Sequence, residues 1–192
     1  DFVLAISNKQ ILYYNVESGE FIVNDLSNPS SIIPMSNSMI NYKGQLLLGG
    51  ITEGFNNYGK NFICWSKIGL ADFTLDLSNE SGYTVLQSIK EVYKLLLLGD
   101  HIIAYTDTGI FKGRPTGLAY SFVRMTNITP MSKNTIMGNY FSHLFMASDG
   151  YWYQITEEKF EKLGYKWMED VLDVNKISIF IHPSNQDFYI TD

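Results

Sequence analysis

Short apolar runs, four to seven residues long and closed by small polar corners, recur from one end of the chain to the other. The clearest case is His143 to Thr156, HLFMASDGYWYQIT. It predicts a strand over Leu144 to Ala147, a tight corner at Ser148-Asp149-Gly150 and a second strand over Tyr151 to Ile155. The corner has the chemistry a hairpin needs: glycine takes φ > 0 without steric cost, and an aspartate hydrogen-bonds the backbone two residues on. His101 to Phe111, HIIAYTDTGIF, repeats the order with a Thr-Asp-Thr-Gly corner. Looser copies stand at Phe2 to Tyr13 and at Ile177 to Ile190.

Taken in order, Phe2 to Ile6, Ile11 to Val16 and Phe21 to Leu26 predict a three-stranded meander with hairpin-length connections. After the loop Ser27 to Ser31, MINY and QLLLGGI (Met39 to Ile51) predict two strands broken at Lys43-Gly44. The polar insertion Thr52 to Lys60 precedes a strand at Asn61 to Lys67, and a loop then leads into Leu75 to Leu77. Strands are predicted again over YTVLQSI, VYKLLLL and HIIAYT. Leu86 to Leu95 has a period compatible with a helix, but the β-branched and aromatic residues around it favour strands. Lys112 to Leu118 reads as a loop and Tyr120 to Met125 as a strand. Glu157 to Lys162 and Trp167 to Leu172 are the only stretches with helical character.

Counted from these hairpins, the units begin near residues 2, 45, 101, 143 and 177, about 35 to 55 residues apart. Units of roughly 40–50 residues with three or four short antiparallel strands are the pattern of a β-propeller blade. The expected fold is therefore all-β, a partial β-propeller of about four blades, with a β-sandwich carrying long loops as the alternative. Residues 1–192 read as a single propeller region. Asp1 is no natural start and the chain ends inside an apparent strand, so a piece of a longer protein is expected.

Composition agrees with a buried, strand-rich fold: 45% of residues are hydrophobic, 18% charged and 15% aromatic. The net charge of −6, with no basic run, argues against a broad phosphate-gripping surface. The single cysteine, Cys64, allows no intrachain disulfide and reads as a small buried hydrophobe. No apolar run approaches the ~18 residues of a membrane-spanning helix.

Candidate chemistry is sparse. His101, His143 and His182 have no metal-ligand spacing, and two of them open repeated strands, which suits a structural position. Gly49-Gly50 lacks the downstream glycine and lysine of a phosphate cradle, and no nucleophile elbow is present. Asp107 and Asp149 lie in corners that resemble the Asp-box turn of sialidase-type propellers, a turn and not a catalytic group. Sialidase chemistry would also need an arginine cluster, and the arginines are Arg114 and Arg124 alone. Asp72, Asp76, Asn79 and Glu80 crowd oxygens into one loop, but their spacing matches no calcium loop and reads as a solvated corner. The sequons at Asn79 and Asn127 are of a kind that arises by chance. No catalytic, cofactor-binding or metal-binding residue is assigned, and no cofactor is expected.

Asn61 to Phe73, NFICWSKIGLADF, resembles an element of propeller proteins of tailed bacteriophages, in which a strand leads through Trp/Tyr-Ser and Gly to a small loop and Asp-Phe. These proteins form the tail nozzle of short-tailed phages or the related packaged-DNA stabilisation factor below the portal. Ile89 to Phe111 is similar to that family's hairpin ending in Gly-Ile-Phe. Tyr120 to Arg124, Thr135 to Gly138 and Phe145 to Tyr151 follow in the family's order, and Ile177 to Asp192 resembles the next blade's opening hairpin. The resemblance covers roughly residues 61 to 192. It implies a virion structural protein of the tail or neck and no enzyme. It further implies a ring of copies, six in that family, around a channel through which DNA passes without sequence-specific binding. Neighbouring tail, adaptor or portal proteins would be its partners, with loops such as Thr52 to Lys60 and Lys112 to Leu118 between copies. The rival reading is a cellular or secreted propeller that binds a glycan or protein, and a third is a glycoside-processing propeller enzyme.

Overall fold

A computed structural model of the chain describes residues 2–7, 10–15, 19–24, 34–53, 59–69, 72–75, 80–166, 177–182 and 187–191. Among these the fold is all-β and antiparallel. Strands β1 (Phe2–Ser7), β2 (Gln10–Asn15) and β3 (Glu20–Asn24) form the expected three-stranded meander. A four-stranded meander follows from β4 (Met35–Tyr42), β5 (Gln45–Glu53), β6 (Phe62–Trp65) and β7 (Gly82–Val85). The next comprises β8 (Val92–Leu98), β9 (His101–Thr106), β10 (Gly109–Thr116) and β11 (Ala119–Thr126). A 3-10 turn (Lys133–Thr135) then leads into β12 (Ile136–Gly138), β13 (Ser142–Met146), β14 (Tyr151–Thr156) and β15 (Phe160–Lys166). The hairpin of β16 (Ser178–Ile181) and β17 (Phe188–Thr191) comes last.

Alternation within β9 explains why its residues are nearly all apolar. Successive side chains of a strand point to opposite faces. Ile102 and Ala104 pack with Leu47, Ile63 and Trp65 of the preceding sheet. Ile103 and Tyr105 pack instead with Phe145, Tyr153 and Ile155 of the following sheet. Strand β9 is thus buried on both faces, and a continuous apolar run is what such a strand requires. The β12–β15 sheet repeats the arrangement, with Met146 and Trp152 turned the other way onto Ile177 and Ile179 beside the last hairpin. At roughly 1.5–3 kcal/mol for each large side chain withdrawn from water, these face-to-face layers are the main source of stability.

The first strands of successive sheets lie side by side and are joined by side chains. Asn37 Nδ2 on β4 donates to the Val92 carbonyl of β8 (3.1 Å). Ser38 Oγ accepts from the Leu95 amide (2.9 Å) and donates to its carbonyl (3.3 Å). One sheet further on, Lys94 Nζ on β8 reaches the Ile136 carbonyl of β12 (2.8 Å). The turns at one end continue the chain of links, since Tyr42 Oη donates to the Asp100 carbonyl and the Gly99 amide to the Tyr140 carbonyl.

Four expectations change. The sheets begin at β4, β8 and β12, one strand before the hairpins at residues 45, 101 and 143. Those first strands carry Asn37, Ser38 and Lys94 for bonding to neighbours, which weakens their apolar signal. Lys112 to Leu118 is mostly strand: β10 runs to Thr116 and pairs with β11 as far as Thr116–Ala119. Pro115 is tolerated there because the ladder with β9 ends at Gly113–Ile102, leaving an edge position. Glu157 to Lys162 is a turn entering β15, whose Phe160 stacks on Tyr153 (5.5 Å between centroids). Leu75 is not in a strand. The rest of that expected strand (residues 76–77), the helical expectation over Trp167 to Leu172 and the loop Ser27 to Ser31 lie outside the described residues, as does the middle of Thr52 to Lys60.

Candidate functional site

The polar groups that the sequence singles out are mostly spent on holding the sheets. His143, fully buried on β13, contacts Tyr105 Oη through Nδ1 (2.9 Å) and the Leu97 carbonyl through Nε2 (2.9 Å). A carbonyl can only accept, so Nε2 carries the proton and Nδ1 accepts from the tyrosine. Burial pushes the histidine's pKa down to about 4, against the opposing pull of the Leu97 carbonyl. Gly138 faces the ring across the β12–β13 ladder and has no side chain because the imidazole fills that space. The result is a neutral, doubly bonded bridge between two sheets.

Both corner aspartates shape turns. Asp107 Oδ1 accepts the amides of Lys90 (3.0 Å) and Glu91 (3.1 Å), fastening the β9–β10 corner to the segment before β8. Asp149 Oδ1 accepts the Tyr151 amide, and its Oδ2 accepts Tyr153 Oη (2.8 Å) and Lys162 Nζ (3.2 Å). Burial acts to raise the pKa of Asp149 but is outweighed by these bonds, so it lies below the ordinary carboxylate value. Gly150 takes φ of 80°, as the corner demands.

Asp72 pairs with Lys67 (2.8 Å) and accepts the Thr74 amide, while the Glu80 carbonyl receives Trp65 Nε1 and Gln45 Nε2. Asp76 and Asn79, the other members of that acidic loop, lie outside the described residues. Tyr120 Oη donates to Gln45 Oε1 (2.6 Å), tying β11 to β5 across two sheets. Cys64 is buried, and its thiol is pushed up to about 12 by that burial. No group of three or more His, Cys, Asp or Glu among the described residues is disposed to hold a metal ion.

What sequence reasoning missed is a cleft of about 320 Å³ on the β8–β11 sheet, lined by His101, Lys112, Arg114, Val123, Arg124 and Met125. It gathers both arginines and a lysine, with no carboxylate among the lining residues. Lys112 and Arg114 are two apart on β10 and so share one face. Val123 stands opposite Lys112 in the β11 ladder. The Lys112–Arg114 alternation was the available signal, hidden by the loop-like composition of KGRPTGL. The Arg124 guanidinium is already engaged, stacked 4.7 Å over Phe111 and donating to the Thr108 carbonyl and Asn127 Oδ1. No ion pair involves Lys112 or Arg114 among the described residues.

No helix among the described residues is long and apolar enough to cross a membrane. Compared with known proteins, the chain matches no family model and no curated protein.

Proposed function

We propose that this chain is a structural subunit built on β-propeller blades, and that it serves as a ring-forming component of a tailed-phage tail or neck. One observation carries the reading: four-stranded meanders follow one another in chain order, stack face to face, and set first strand beside first strand. That is how blades surround an axis, and each sheet needs a neighbour on both faces. A sandwich would leave the outer face of each of its two sheets toward water, whereas the β8–β11 sheet has an apolar core on either side.

The assignment to a phage ring comes from the resemblance of residues 61 to 192 to the nozzle and packaged-DNA stabilisation proteins. It is supported by the way His143, Asp107, Asp149 and Gln45 are engaged in internal bonds that stiffen a scaffold. A net charge of −6 suits a conduit past which DNA slides. The copies would contact neighbouring tail, adaptor or portal proteins through their loops.

The test is the native mass of the full-length protein, taken in solution and by composition of purified virions. A ring of about six copies, present in the particle at that stoichiometry, is the expected outcome. A monomer absent from virions refutes the assignment, and retention on a glycan array would then favour a binding module.

A further inference from the structure

We infer that the cleft on the β8–β11 sheet is a binding site for a phosphomonoester carried on an organic body of hexose or nucleoside size. The inference is independent of the ring assignment, because it rests on one sheet's side chains.

The cleft lies where one face of this sheet passes from a covered to an uncovered half. Ile103, Tyr105 and Ile110 on that face are buried against the next sheet. The ladder sets Lys112 opposite Ile103, and carried one residue on it brings His101 beside Arg114. His101, Lys112 and Arg114 therefore continue the same face beyond the apolar packing. Lysines and arginines are ordinary on an uncovered strand face, and what marks this one is their convergence on a cleft that no carboxylate lines. The two cations have no ion-pair partner among the described residues, whereas His101 Nδ1 makes no hydrogen bond but is shielded from solvent and so from a ligand too.

Charge selects the ligand class. Arg114 offers a planar fork and Lys112 a point charge. Arg124 pairs with Phe111 in the ladder and stacks on its ring, so its guanidinium lies on the opposite face of the sheet and leaves Lys112 and Arg114 as the cations open to a ligand. The Glu157 carboxylate lies against Gly99, two residues before His101, and does not line the cleft. Two available cations suit a dianion with three terminal oxygens better than a singly charged carboxylate. The volume, about 320 Å³, exceeds what an inorganic phosphate fills. Val123 and Met125, 60% and 40% exposed, give an apolar wall for the ligand's body.

Isothermal titration of the full chain at low salt tests this, with glucose 6-phosphate, AMP, glucuronate and inorganic phosphate as probes. Glucose 6-phosphate, AMP or both are expected to bind with Kd below about 10 mM and tighter than phosphate or glucuronate, and which of the two wins identifies the body. Arg114→Gln and Lys112→Gln should each weaken that binding by about tenfold, and Arg114→Lys by less. Lys133→Gln, at an exposed lysine on the 3-10 turn, should leave it unchanged. Unaltered thermal melting of the variants separates lost contacts from lost folding. The inference is overturned if neither phosphomonoester binds, if glucuronate binds as tightly, or if Lys133→Gln weakens binding as much as Arg114→Gln.

Discussion

Protonating His143 should pull the third and fourth sheets apart in free-energy terms, and the size of the effect can be worked out. The folded protein holds this imidazole neutral with a pKa of about 4, against an ordinary value of 6.5. Between those two values the unfolded chain binds the proton and the folded chain resists it. Stability contributed by the neutral ring is therefore full above about pH 7 and falls as pH falls through 6.5. The loss is complete only below about pH 4, where it amounts to about 3 kcal/mol; at pH 5 it is about 2 kcal/mol. For a domain of this size that is a large fraction of the whole.

The assay is urea unfolding followed by tryptophan fluorescence at about pH 7.5 and pH 5, on the parent and on His143→Gln. Glutamine cannot titrate, so the parent should lose about 2 kcal/mol more than the variant between the two conditions. At the higher pH the variant should itself be weaker by about 1–3 kcal/mol, because the buried Tyr105 hydroxyl loses its acceptor. His101 and His182 are common to both proteins and cancel in the comparison. Asp72 and Asp149, held below their ordinary carboxylate values, lose their contributions only in more acid solution than the assay uses. Equal losses in parent and variant would refute the neutral, buried bridge.

Three further expectations bear on the scaffold. Gly50→Ala should cost about 2–4 kcal/mol in thermal or urea unfolding: φ is +70° there, and a Cβ would strike the Val92 carbonyl and Asn37. A loss below half a kilocalorie would show that β4, β5 and β8 are not in such close approach. Cys64 should resist a thiol reagent at mildly alkaline pH in the native protein and react once urea unfolds it, since burial holds the thiol up near 12. Asp149→Ala should destabilise by about 1 kcal/mol at neutral pH, read from the shift in the urea midpoint. The cost is small because the carboxylate is half exposed, and the difference from the parent should shrink as pH falls through the lowered pKa of Asp149.

Much of the strand order was legible because burial on both faces removes polar interruptions. HIIAYT, YWYQI and QLLLGGI stand out as apolar runs, and their glycine corners mark the ends. What composition could not convey was the phase of the repeat. A hydrophobic pattern reports which residues leave water, and the first strands use Asn37, Ser38 and Lys94 to bond with neighbours that only the folded chain supplies. The same blindness hid the cleft. Lys112 and Arg114 lie between glycines and beside Pro115, a composition that signals a loop, and it is pairing with Ala119 to Val123 that makes the segment a strand. His143 was readable as a structural residue from its repeated position, but its bridge to Tyr105 needed two strands 38 residues apart.

These particulars bear on how a degenerate repeat holds its order. Apolar layers between the sheets are interchangeable in character, since Ile, Leu, Tyr and Phe fill each of them. Packing of that kind stabilises a stack while saying little about which sheet meets which. The hydrogen bonds say more. Asn37, Ser38 and Tyr42 bond to the second four-stranded sheet and the segments bordering β8, and Lys94 and Tyr105 bond to the third. Each is a group whose misplacement would leave a polar atom shielded and unsatisfied, at about 1–3 kcal/mol apiece. The apolar runs thus provide the stability, and a few polar side chains at the first strands and on His143 fix the sequence in which the sheets stack. A change at Asn37 or Lys94 should accordingly harm the fidelity of assembly more than its modest energy would suggest.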